Sequence, residues 1–282
     1  MDRTLLSLNG EWALYYAPEK GGKEEAFRPD MLQAWPRVKA NVPGNCERAL
    51  VDTGVMGDPY WDEQQLDAAK YEYYQWIYET GFDAPAAQPG ARVFLRFDGI
   101  DTIADIYLNG AHLLRAENMF VEHEADVTNL LRETDNRLIV HIHSAMNYAR
   151  SREYPIGMRG TAHRNEICHI RKAAHSFGWD IAPRLVTSGL WRGVRLIEKR
   201  PTRITETYYA VPEVDRARDT AVLEYAFRFE TDADTLEGFS ARLTGVCGAR
   251  TFEWETPVWF VSHNCEMTID HPLLLWPQGY GA

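Results

Sequence analysis

Apolar positions along the chain recur with a period of two far more often than with a helical period. In "RVFLRFDG", residues 92–99, Val93, Leu95 and Phe97 alternate with Phe94 and two arginines, the pattern of a strand with one face in a core. "IADIYLNGAHLL", residues 103–114, is two apolar runs joined by Asn109-Gly110, and that dipeptide predicts a hairpin because both turn positions need φ > 0. "NRLIVHIHS" (136–144) reads as a further strand, and "LWRGVRLIE" (190–198) as another, entered at Leu190 and running through Leu196. Beyond Pro201, "ITETYYAVP", "AVLEYAFRFET" and "SARLTGV" continue as short strands at regular spacing. Helical signals are few: "CERALVDTG", closed by Gly54, and "WDEQQLDAAKY". Short strands separated by turn residues, with no strand–helix alternation, predict an all-β chain of antiparallel sandwiches. The charged, proline-containing stretch "EKRPTR", residues 198–203, predicts the boundary between a domain over 1–199 and a second over 200–282.

Composition narrows the function classes. The 282 residues are 45% hydrophobic and 25% charged, enough apolar material for sizeable cores. Net charge is −11, from 41 acids against 30 bases, which argues against a nucleic-acid partner because a basic stripe for the phosphate backbone is missing. The apolar runs are short, "LIV" and "PLLLWP" among them. None approaches the ~20 residues of a membrane span, so no membrane partner is expected. "MDRTLLSLNGEW" lacks the basic and apolar regions of a secretory leader. Cysteines 46, 168, 247 and 265 are scattered and form no C-x-x-C pair. Both features lead us to expect four free thiols and a cytoplasmic location. No glycine-rich phosphate loop or G-x-S-x-G elbow is present, and no cofactor is expected.

A set of motifs then carries a resemblance. "LNGEW", "VPGNCERALVDTGVMGDPYWDEQ", "YQWIYETGF", "FDGIDTIADIYLNG", "FGWD" followed by "PRLVTSGLWRGVRL", and "PLLLWPQGYG" occur in that order and span essentially the whole chain. Together they resemble the N-terminal region of family 2 glycoside hydrolases, most closely the β-mannosidase-like branch. The resemblance implies a jelly-roll (galactose-binding-like) sandwich followed by an immunoglobulin-like sandwich, with a catalytic (β/α)8 barrel after them. A barrel takes ~250 residues, and the sandwiches already occupy nearly all of this chain. The second block, 82 residues from Pro201 to Ala282, is short of the ~100 of an immunoglobulin-like domain. The chain is therefore expected to be a piece of a β-glycosidase, truncated in its second sandwich and inactive alone, whose partners are its own barrel and a carbohydrate substrate. A free-standing carbohydrate-binding module is the alternative, and within the family a β-galactosidase-like or β-glucuronidase-like parent.

The candidate chemistry sits in "HSFGWDIAPRLVTSGLWRGVRL", residues 175–196. No catalytic residue is expected in the chain, since a retaining glycosidase needs two carboxyl groups ~5–5.5 Å apart and the resemblance places both in the barrel. Asn165-Glu166 matches the family's acid/base dipeptide but lies outside any barrel strand, so Glu166 reads as a surface or salt-bridged acid near Arg164 and Arg171. Asp180 is the expected substrate contact, because a carboxylate accepts hydrogen bonds from neighbouring sugar hydroxyls. Trp179 would supply an apolar face beside it. The competing reading pairs Asp180 with Arg184, or spends it on a turn, and buries Trp179 in the core. Gly178 is expected to allow the turn, Arg184 to anchor the loop, and Trp191 and Arg192 to serve as inter-sheet plug and salt-bridge donor on the strand. Ile181 and Ala182 stand where the branch more usually has Trp and Gly. His141 and His143 share a strand face, with His163, Cys168 and His169 further along. That set lacks the convergence of a zinc site, so hydrogen-bonded histidines and no metal are expected.

Overall fold

The computed structural model describes residues 2–20, 24–152, 165–248 and 250–274. It is all-β and divides into two compact units, residues 3–198 and the segment from Lys199 onward together with the first two residues. In chain order the first unit holds β1 (Arg3–Ser7), β2 (Gly10–Pro18), β3 (Arg37–Val42), β4 (Tyr74–Phe82), β5 (Arg92–Phe97), β6 (Ala104–Leu108), β7 (Ala111–Ala116), β8 (His123–Asp126), β9 (Asn136–Ile142) and β10 (Val194–Lys199). These pair as a six-stranded sheet, β3-β2-β4-β9-β6-β7, and a four-stranded sheet, β1-β10-β5-β8.

One core joins the two sheets. Leu14, Trp76, Tyr78, Ile106 and Val140 of the larger sheet share a cluster with Val93, Leu95, Phe97 and Leu196 of the smaller. Leu95 and Phe97 are wholly buried, each worth ~1.5–3 kcal/mol by transfer from water. The alternation in β5 thus marks a one-faced strand. β9 differs: from Leu138 to Ile142 every residue is buried. It lies between β4 and β6, and Ile139 on its second face packs with Tyr15, Met31 and Ile77 under a strap that brings Phe27, Leu32 and Trp35. Asn109 and Gly110 take φ of 52° and 88°, the left-handed pair the hairpin between β6 and β7 requires.

The helix Cys46–Asp52 forms as its sequence predicts, with the Asn45 side chain accepting the Arg48 N–H as N-cap. The second helical stretch is shorter than expected, an α-helix over Gln64–Ala68 continued by a 3-10 turn over Ala69–Tyr73. The strand read from Leu190 begins at Val194. Gly189 bridges instead to Asp101, and Trp191 lies against the backbone of Gly99, where a Cβ would come 2.6 Å from Nε1. Wholly buried Leu190 kept the alternation going in sequence although it precedes the ladder.

In the second unit β11 (Arg203–Asp215), β12 (Thr220–Glu230) and β15 (Ser262–Asp270) form one sheet, and β13 (Ser240–Cys247) pairs with β14 (Arg250–Pro257) as a hairpin. Phe227, Phe229 and Val258 form its core, with Tyr225, Leu236 and Phe239 against them. Among the described residues no helix is long and apolar enough to cross a membrane.

Candidate functional site

The long connection from β9 to β10 carries the loop singled out in the sequence. Its 3-10 turn Ala174–Phe177 drives Phe177 to 2% exposure, in a cluster with Ile103, Met146, Tyr148, Ile170 and Val186. Gly178 follows at φ 85°, with the position of a Cβ 3.2 Å from Cβ of Arg184, so a side chain there is both strained and crowded. Trp179 and Ala182 then exchange backbone hydrogen bonds, N to O, at 3.1 and 2.5 Å. That reciprocal pair makes a tight turn with Asp180 and Ile181 at its two corners. Asp180 takes φ 32°, a region aspartate tolerates better than most residues.

This geometry projects the turn outward. Trp179 is 63% exposed and Ile181 92%, and Asp180 is exposed too. The pairing of Asp180 with Arg184 does not occur. Arg184 donates from Nε to Glu72 Oε1 at 2.8 Å and from Nη2 to Glu72 Oε2 at 2.7 Å, with Nη1 on the Phe177 carbonyl at 3.3 Å. The bonds to Glu72 raise the Arg184 pKa above its ordinary value. Its donors are thereby directed to a nearly buried carboxylate, leaving Asp180 without an ion-pair partner among the described residues. Trp179 is not core, because the core position of this segment is taken by Phe177.

Three other sequence readings need correction. Trp191 is half-buried rather than a plug between sheets, and donates from Nε1 to the Met119 carbonyl at 3.2 Å. Arg192 is no salt-bridge donor among the described residues; its guanidinium stacks 4.2 Å over the Trp191 ring. Both precede the strand. Glu166 pairs with Arg150 at 3.1 Å, not with Arg171. Burial would raise its pKa, but its backbone amide and Arg150 lower it on balance. Arg164 and His163 lie outside the described residues.

The strand histidines are engaged with protein partners. His141 Nε2 lies 2.8 Å from Gln75 Oε1, and burial beside His143 lowers its pKa to about 3. His143 sits between Glu19 at 2.9 Å and Asp105 at 3.1 Å. Burial alone would lower its pKa, but the hydrogen bonds to Asp105 and Glu19 raise it to about 9. Of the cysteines, Cys46, Cys168 and Cys265 are free thiols; the Cys247 side chain lies outside what is described.

Sequence reasoning missed the groups that hold the loop from below. Lys172 and Asp101 form a buried ion pair whose lysine also reaches the Thr187 carbonyl. Glu47 accepts the Ser188 N–H at 3.2 Å, its pKa pushed up by burial to about 7. An acid flanked by Ile100 and Ile103 was the available signal for Asp101.

The chain is similar to several known proteins. The family model described as glycosyl hydrolase 2 galactose-binding domain-like matches residues 18–192. The β-mannosidase B of Aspergillus oryzae is 32% identical over 255 residues, covering 88% of this chain and 30% of that protein. The crystal structure of β-D-mannosidase from Dictyoglomus thermophilum superposes with a TM-score of 0.76 at 28% identity, over 98% of this chain and 32% of that one. A β-glucuronidase from Bifidobacterium dentium shares the fold, with a TM-score of 0.59 at 21% identity, over 94% of this chain and 42% of that one. The chain spans about 30% of the length of the β-mannosidases it matches.

Proposed function

The chain belongs to the glycosyl hydrolase 2 galactose-binding domain-like family, and on that premise we propose that it is the non-catalytic, substrate-facing part of a retaining β-glycosidase of β-mannosidase type. The observation that carries this reading is the Trp179–Ala182 turn. Its stem is packed and ion-paired, yet it holds outward an exposed indole and a carboxylate that has no ion-pair partner among the described residues. A turn that served only the sandwich would bring these groups inward. An aromatic face beside a carboxylate suits a pyranose, whose C–H face stacks while its hydroxyls donate. The catalytic carboxylates belong to the barrel, which the sandwich units do not contain. Its partners are that barrel and the sugar. A reducing, cytoplasmic setting is proposed with it, supported by scattered cysteines that form no C-x-x-C pair.

The test compares the product of the complete reading frame encoding this chain with residues 1–282 alone, on 4-nitrophenyl β-glycosides. We expect the former to hydrolyse the β-mannoside with retention at the anomeric carbon, and the latter to show no turnover. Turnover by residues 1–282, or none by the complete product, overturns the reading.

A further inference from the structure

We propose that Lys172 is a positioning residue for the Trp179–Asp180 turn: with Asp101 it clamps the two ends of the loop at one point, so that the turn is presented in a single register. The proposal rests on the sugar-facing reading above. Lys172 opens the loop and Thr187 closes it. The Lys172 ammonium, itself 0% exposed, donates to Asp101 Oδ1 at 2.6 Å, to Asp101 Oδ2 at 2.5 Å and to the Thr187 carbonyl at 2.6 Å. Its three N–H groups thus have three acceptors. The Thr187 hydroxyl lies on Asp101 Oδ2 at 3.1 Å. The Asp101 backbone exchanges hydrogen bonds with Gly189 at 2.8 and 2.9 Å. One aspartate therefore fixes both the entry and the exit of the loop.

A sandwich has no need of such a pair for cohesion. Taking two ions out of water costs several kcal/mol each, and apolar residues of the same volume hold a core as well or better. What an ion pair adds here is direction. The carboxylate and the Thr187 carbonyl accept only from defined angles, so the neck cannot slide as a greasy contact can. Among the described residues neither Lys172 nor Asp101 hydrogen-bonds to Trp179 or Asp180.

Two variants separate positioning from plain cohesion. Lys172→Met alone strands Asp101 as a buried charge and is expected to unfold the unit. The paired variant Lys172→Met with Asp101→Leu removes both ions and is expected to fold. In the paired variant of this chain, amide hydrogen exchange should accelerate ~10-fold or more over residues 173–186, with the amides of β4 and β9 unchanged. In the complete product, Asp180→Ala should lower kcat/KM on the aryl β-mannoside ~10–100-fold in the parent, and less than ~3-fold in the paired background, because a turn out of register has no contact left to lose. Unchanged exchange over 173–186, acceleration spread over the whole unit, or equal Asp180→Ala losses in both backgrounds overturns the clamp. An Asp180→Ala parent as active as the wild type overturns instead the sugar reading on which it rests. Exchange and kinetics report these two failures separately.

Discussion

Replacing Arg184 by methionine should destabilise the larger unit while leaving its fold in place. The side chain loses its two bonds to Glu72, its bond to the Phe177 carbonyl and its place 5.7 Å over the Phe177 ring, whereas methionine keeps much of the aliphatic packing. The decisive loss is at Glu72, whose side chain is only 7% exposed and whose ion pair is with Arg184. Removing one partner of a fully buried pair costs ~3–5 kcal/mol. Here Arg184 is itself 34% exposed, so water can reach the orphaned carboxylate, and ~2–3 kcal/mol is the expected loss. In a unit of this size each kcal/mol moves Tm by ~2–4 °C, giving a fall of ~4–12 °C. Differential scanning calorimetry of the chain at pH 7 measures it on the larger transition. The double variant Arg184→Met with Glu72→Leu should recover at least half of the fall, since no charge is left stranded. A single variant melting within ~1 °C of the parent, or a double variant as unstable as the single, refutes the assignment of Arg184 as the loop's brace.

Other outcomes follow from the same geometry. Asp180→Ala should leave the chain's Tm unchanged within ~1 °C, since an exposed side chain with no ion-pair partner among the described residues adds little stability; a larger fall would return Asp180 to a structural role. Phe177→Ala should cost ~3–5 kcal/mol in urea unfolding, as for a fully buried aromatic, and a loss below ~1 kcal/mol would show the loop is not packed as described. His143 keeps its proton to about pH 9 when folded, against ~6.5 unfolded. Its contribution is therefore full below pH ~6.5 and lost as pH rises through 9, on the order of 3 kcal/mol. His143→Gln should accordingly flatten the alkaline limb of stability against pH, and an unchanged limb would count against the Glu19–His143–Asp105 arrangement. Thiol titration of the folded chain should modify exposed Cys168 rapidly and buried Cys46 only on unfolding; early reaction of Cys46 would contradict its burial.

How far the sequence could be read depended on the range of the interaction. Period-two alternation in β5 and the Asn109-Gly110 hairpin are local, because side-chain direction and turn torsion are set within a few residues. Gly178 was legible for the same reason. Arg184 as an anchor was legible in kind but not in partner: Glu72 lies 112 positions away and nothing near it advertises the pairing. Lys172, in "IRKAAHS", looks like any solvated lysine until the fold brings Asp101 over it from 71 positions away. Trp191 and Arg192 were misplaced because Leu190, Val194 and Leu196 are all buried, so alternation ran on across a stretch where Gly189 and Gly193 hold no ladder.

The order β1-β10-β5-β8 bears on how the chain is made. β1 leaves the ribosome before the rest of its unit and β10 after nearly all of it, yet Arg3 pairs with Glu198 and Thr4 with Ile197. Until β10 arrives, β1 has no neighbour in its sheet and one edge of β5 stands open. At ~5–20 residues per second that interval lasts ~10–40 s. Nascent chains stalled before Val194 carry two unpaired edges and lack the core side chains of Val194 and Leu196, and open edges of this kind are where sheets aggregate. The segment just upstream of β10 is the one whose Thr187 and Gly189 bond to Asp101. The segment that completes the smaller sheet is thus continuous with the one that meets Asp101 below the Trp179–Ala182 turn.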